Sequence, residues 1–161
     1  MRAEAPESVV VAAVDESPAA VAVARCAATL AQALGARLAL AHVTDTSAAR
    51  TPRATSSAAL QDPAGELRRM RESQARALLA EVAWRAGCEE ADAEVLFGEP
   101  GTALRERAAA PDVLMLVTGS RGRGPLRAAV LGTVSGELAA NAPVPVVVVP
   151  AAVAEAAATA A

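Results

Sequence analysis

The first regular feature of the chain is an unbroken apolar run, Val9 to Val14 ("VVVAAV"), with no polar residue between its β-branched positions. A strand exposed on one face alternates, whereas one covered on both faces does not, so the run predicts a strand buried inside a parallel sheet. "DESP" follows and predicts a helix with Ser17 as N-cap and Pro18 at its first position, carried by alanines to Leu34 and closed by Gly35 at C′. Arg37 to Val43 ("RLALAHV") predicts a second strand. Glu66 to Ala86 places Leu67, Met70, Ala77, Leu78, Val82 and Ala83 along one side and Arg and Glu along the other, which predicts an amphipathic helix ended by Gly87.

The remaining pattern repeats the alternation. "ADAEVLF" (91–97) and "DVLMLVT" (112–118) predict strands, with a short helix opening at Pro100 between them. "VSGELAANA" (134–142) predicts a helix and "PVPVVVVP" (143–150) a last short strand bracketed by prolines. Strand and helix in turn imply a parallel sheet with right-handed crossovers. Residues 44–65 are rich in Thr, Ser, Ala and Arg with no periodicity, a length at which connections are functional lids or disordered, so a mobile loop is expected. The expected layout is a tail at 1–7, one domain at 8–150 and an Ala-rich tail at 151–161 with little to bury.

Composition narrows the function. A chain of 161 residues suits a single domain. Aromatic residues make up 1%, so no platform exists for stacking bases, and a net charge of -3 gives no overall pull on polyanions. Nucleic acid is therefore not an expected partner. All 15 basic residues are Arg, which excludes lysine chemistry of the Walker or Schiff-base kind. Cys26, Cys88 and a single His are too few for a zinc site and suit a reduced cytoplasmic interior. The apolar run before Asp15 is too short for a signal h-region or a membrane span, so a soluble cytoplasmic protein without membrane contact is expected.

Candidate chemistry gathers where strands end. In an open parallel sheet, ligands settle beyond the carboxyl ends of the strands. Three turns meet there: Asp15–Pro18, Val43–Thr44 and the glycine-rich stretch Gly119–Thr133, "GSRGRGPLRAAVLGT". Gly119, Gly122 and Gly124 can turn the chain and nothing more. They can also aim backbone N–H groups at an anion, with Gly132–Thr133 opening a helix whose amides favour phosphate, and Thr133, Ser135, Arg121 or Arg123 assisting.

The spacing of that stretch resembles a known signature. Gly119-Ser-Arg-Gly122, nine residues, then Gly132-Thr133 is similar to the G-2x-G-9x-G-[S/T] pattern of ATP-binding universal stress proteins, and "VVVAAVDESP", "LALAHV", "APDVLMLVTGSRGRG" and "APVPVVVVP" look like the same family's strands and turns. The resemblance covers residues 8–150. It implies an α/β fold, an open five-stranded parallel sheet with helices on both faces in the order 3-2-1-4-5, of the Rossmann-like, adenine nucleotide alpha hydrolase-like kind. It further implies ATP as ligand, with Asp15 at the ribose, the Val43 main chain at the adenine edge and Gly119 near the ribose. Gly122, Arg123, Gly132, Thr133, Val134 and Ser135 would surround the phosphates, and Ala13 and Thr118 would complete the pocket. Mg²⁺ would travel with the phosphates, without a protein cage. A homodimer through strand 144–149 is implied as well. The sequence departs from many members in having Thr118 where they have methionine, and Ala13 where some have proline.

Plainer readings stand beside these. Asp15 can cap the helix that follows it. His42, alone near a strand end, reads as packed or hydrogen-bonded, and Cys26 and Cys88 as inert thiols. Arg68, Arg69, Arg71 and Arg76 read as a solvated helix face paired partly with Glu66 and Glu72. No general base lies near the glycine stretch apart from Asp15, so the chain is expected to bind ATP in a regulatory role and not to act as an enzyme. The alternative is a nucleotide-independent dimeric scaffold of the same fold. A dinucleotide-dependent enzyme fits poorly, because the first turn reads "VDESPA" and lacks GxGxxG.

Overall fold

The first strand decides the architecture. Every residue of Val9–Val11 is at most 2% exposed, and successive side chains go to opposite faces, so both faces of the sheet must be covered. The computed structural model describes residues 8–44, 63–120, 131–150 and 153. In chain order these form β1 (Val9–Ala13), α1 (Ala20–Leu34), β2 (Arg37–Thr44), α2 (Pro63–Ala86), β3 (Asp92–Phe97), α3 (Pro100–Ala108), β4 (Val113–Gly119), α4 (Thr133–Asn141) and β5 (Val146–Val149). The sheet is all parallel with the order β3-β2-β1-β4-β5, as expected.

Alternation along β1 sorts the two cores. Val10 and Ala12 pack with Leu40, Val117 and the apolar sides of α1 and α2, including Val23, Leu79 and Val82. Val9 and Val11 pack on the other face with Ala39, Ala41, Leu116, Leu104 of α3 and Leu138 of α4. Helices α1 and α2 therefore cover one face and α3 and α4 the other. The chain leaves β1 toward one face and β4 toward the opposite one, which opens a crevice between these two neighbouring strands at their carboxyl ends.

Several boundaries differ from the sequence reading. Ser17 does not cap α1: its own amide donates to Asp15 Oδ1 (3.0 Å), and Ser17–Ala19 form a turn before a helix that begins at Ala20 with Ala19 as N-cap. The short Asp15 side chain competes for the backbone and delays the helix. Gly35 does close α1 in the left-handed conformation at φ 62°, with the amide of Ala36 reaching the Ala31 carbonyl at 2.9 Å. Helix α2 starts at Pro63, three residues before Glu66, and buries Ala75, Leu79, Val82 and Ala83. Met70 is 53% exposed and Ala77 is exposed, because at 100° per residue both lie on the side of the helix turned away from Ala75. Strand β2 extends through Thr44, which pairs with Phe97. The expected mobile stretch lies outside the described residues apart from Thr44 and 63–65, as do the tails, Val153 excepted.

Ion pairs tie the β3 side together. Arg107 of α3 holds Glu94 of β3 through two bonds (2.7 and 2.9 Å) and Asp112 through two more (3.1 and 3.2 Å). Its guanidinium is thereby kept firmly charged, and Asp112 sits below the usual carboxylate range because Arg107 donates to it. Arg37 pairs with Asp92, and Arg68 of α2 lies over the Phe97 ring, 4.3 Å from its centroid. The arginine cluster of α2 is thus in part paired, Arg76 with Glu72 at 2.9 Å, as the pattern suggested. Cys88 packs against the core, and burial with nearby Glu89 pushes its thiol up, away from the reactive thiolate form.

Candidate functional site

A cavity of about 500 Å³ occupies the crevice. Its floor is the carboxyl end of the sheet: Ala13 and Val14 from β1 and its exit, Ala41 to Val43 from β2, and Thr118 and Gly119 from β4. Asp15 and Ser17 stand on one side, and Leu131 to Ser135 form the opposite wall. Of the residues singled out in the sequence, Ala13, Asp15, Val43, Thr118, Gly119, Gly132, Thr133, Val134 and Ser135 are brought together here. Gly122, Gly124, Arg121 and Arg123 lie outside the described residues.

The glycine stretch closes on itself. Gly119 ends β4, Ser120 donates its amide to the Val149 carbonyl (2.8 Å), and Gly132 returns to donate to the Ser120 carbonyl (2.8 Å). Ser120 and Gly132 are thus hydrogen-bonded to each other although eleven residues separate them in the chain. Ser135, 3% exposed, sets its hydroxyl 3.1 Å from the Gly132 carbonyl and 3.3 Å from that of Ser120. A hydroxyl has one proton to donate, so this side chain secures the loop, and donating to a ligand would require that bond to be given up.

The backbone supplies the other donors. Gly132 is the N-cap of α4 (φ -59°, ψ 160°), and no side chain among the described residues caps it. The first amides of a helix have no carbonyl one turn earlier to bind, so those of Thr133, Val134 and Ser135 have no backbone partner among the described residues and carry the positive end of the helix dipole. Asp15 supplies an acceptor. One oxygen holds the Ser17 amide in the turn ahead of α1, which no side chain caps, so Asp15 does not cap that helix as the plainer reading held; the other oxygen has no hydrogen-bond partner among the described residues.

His42 braces the floor. Its Nδ1 is 2.9 Å from the Val14 carbonyl, and since a carbonyl only accepts, Nδ1 carries the proton and donates. Together with the bond from the Val14 amide to the Ala41 carbonyl (2.9 Å), this fixes the exit of β1 beside Asp15. His42 is hydrogen-bonded within the protein, as the sequence reading held.

Other wall residues escaped the sequence reading: Ala19, Ala20 and Val23 of α1 and its approach, Pro100 and Leu104 of α3, and Leu131. Ala20/Val23 and Pro100/Leu104 are spaced three and four apart, the only signal available, and that spacing does not distinguish a cavity wall from ordinary core. Among the described residues no group of three or more His, Cys, Asp or Glu is placed to hold a metal ion, and no helix is long and apolar enough to cross a membrane.

An open parallel sheet with a cavity at its switch point, lined by the Asp15 turn and the start of α4, defines an α/β fold whose crevice lies where ligands settle in such sheets. The sequence profile described as the Universal stress protein family matches residues 8–150. The chain belongs to that family. Solved structures share the fold: universal stress protein UspA from Lactobacillus plantarum is 24% identical, with 91% of this chain and 99% of that one covered at a TM-score of 0.67. A universal stress protein in complex with cAMP is 22% identical (90% and 98% covered, TM-score 0.64), and one from Archaeoglobus fulgidus in complex with dAMP is 21% identical (89% and 98%, TM-score 0.57). No curated protein matches the chain closely enough to count as a relative.

Proposed function

We propose that this chain is a cytoplasmic regulatory protein that binds ATP as a homodimer, with little or no turnover. The observation that carries the reading is the uncapped start of α4, whose amides open on the same cavity as Asp15. The triphosphate would lie along Gly132–Ser135, with the ribose at Asp15 and the base against the Val43 main chain. The cAMP and dAMP complexes of two proteins of the same fold support an adenine nucleotide. The acceptor at one end and the amide donors at the other suit a ligand with hydroxyls at one end and negative charge at the other. Asp15 already holds the Ser17 amide and would take the ribose, which leaves no other carboxylate among the described residues that line the cavity to orient water. A magnesium ion would be held by the phosphates and water, since the described side chains offer no cage for it.

Dimerisation would use the edge of β5. Val146–Val149 is wholly apolar and, among the described residues, pairs only with β4, so its other row of backbone groups would meet a second copy. Sedimentation at micromolar concentration should give a dimer for the wild type and a monomer for Val148→Arg; a monomeric wild type would remove this part of the proposal.

The decisive test of the ligand is direct. Protein purified without added nucleotide, then denatured, should release an adenine nucleotide identifiable by mass spectrometry, or the emptied protein should take up Mg-ATP in a calorimeter. A dimer that does neither would favour the nucleotide-independent scaffold, which the apolar β5 edge also suits.

A further inference from the structure

Helix α3 contributes to the cavity wall and, one residue further along each time, grips α4. Pro100 and Leu104 line the cavity; Gly101 and Arg105, the residues after them, meet Glu137 of α4. Arg105 Nη1 donates to Glu137 Oε1 at 2.9 Å. Gly101 is buried, and a Cβ built on it would stand 2.1 Å from Glu137 Oε2, so the carboxylate fills the space that any larger residue there would need. Glu137 lies two residues beyond Ser135, the last cavity-lining residue of α4. The contact is half exposed, with Arg105 and Glu137 side chains at 38% and 31%, and an ion pair so placed adds little to stability.

We propose that Gly101, Arg105 and Glu137 form a positioning contact that sets where the first turn of α4 presents its amides to the phosphates of the ligand. This rests on the nucleotide reading above and assigns to α3 a part in it that involves no contact with the phosphates. The alignment of a row of N–H donors with phosphate oxygens is sensitive to small shifts, whereas the base and ribose, held by β2 and Asp15, are independent of α4.

The test is calorimetric titration of the full chain with Mg-ATP and, separately, with adenosine. Glu137→Ala should weaken Mg-ATP about fivefold, the equivalent of one weakened hydrogen bond, and leave adenosine within about twofold. The sign is informative: removing a negative charge near the phosphates would by electrostatics alone tighten ATP binding. Gly101→Ala, which changes no charge but displaces the carboxylate, should show the same selective loss, and combining the two should add nothing further. Equal losses for ATP and adenosine, tighter ATP binding in Glu137→Ala, or independent losses that add would overturn the positioning role. A wild type that binds neither ligand would overturn the nucleotide reading, and this inference with it.

Discussion

Helices α3 and α4 lie side by side on one face of the sheet and both begin at the cavity, yet they treat their first amides differently. Helix α3 caps itself: Glu99, in extended backbone, accepts from Gly101 N (3.0 Å) and Thr102 N (2.7 Å), with Pro100 at the first helical position. Helix α4 begins after Gly132 with no capping side chain among the described residues. The orphan amides of a helix start must be met by something. In α3 the protein supplies its own carboxylate; in α4 the place is left to whatever enters the cavity. The same physics produces a structural cap in one helix and a candidate anion site in its neighbour, and the deciding feature is one side chain.

The most severe way to break that contrast is to give α4 the cap that α3 has. Gly132→Asp places a carboxylate over the first turn; the backbone there (φ -59°, ψ 160°) accepts a side chain. Mg-ATP affinity should fall by about a hundredfold or more, through loss of amide donors and like-charge repulsion, while stability changes by only a few tenths of a kcal/mol. Calorimetry with a parallel melt reads both, and undiminished ATP binding would move the phosphate site away from α4.

The opposite change is milder. Glu99→Ala removes the cap from α3 and should lower unfolding free energy by about 1 kcal/mol in urea titration, with Mg-ATP affinity within about twofold of wild type. A large loss of ATP binding would mean that the two helix starts are not separate in function.

The smallest effect is in pH. Accepting from the Thr102 amide first, and from Gly101 in addition, holds the Glu99 carboxyl below its usual range. A lowered folded value means that the cap contributes in full above the unfolded value, near pH 4, and loses its contribution as the pH falls through the folded value. The stability gap between wild type and Glu99→Ala should therefore be constant at neutral pH and shrink below about pH 4. Glu99 is largely exposed, so the change should be modest and damped by salt. A gap that widens on acidification would contradict the cap.

The two edges of the sheet extend the lesson. Strand β3 carries Asp92 and Glu94, each engaged by an arginine from β2 or α3, whereas β5 is four valines. Charged side chains deter strand addition and apolar ones permit it, which is why the proposed dimer uses the β5 edge.

Much of this was legible in order along the chain. The uninterrupted apolar run of β1, the left-handed glycine after α1 and the valines of β5 state their roles through local rules: two-face burial, a φ that only glycine adopts readily, and β-branched packing. Gly119 and Gly132–Thr133 likewise marked the end of β4 and the start of α4. What only the tertiary structure decided was anything that depended on neighbours distant in sequence. Met70 looked like core until the phase of α2 against the sheet placed it outside. Pro100 and Leu104 became cavity wall, and Glu137 a clasp on α3, because the crossovers through α3 and α4 run over the same face of the sheet and lay the two helices side by side. Periodicity reports which side of a helix is apolar; only packing fixes what that side meets.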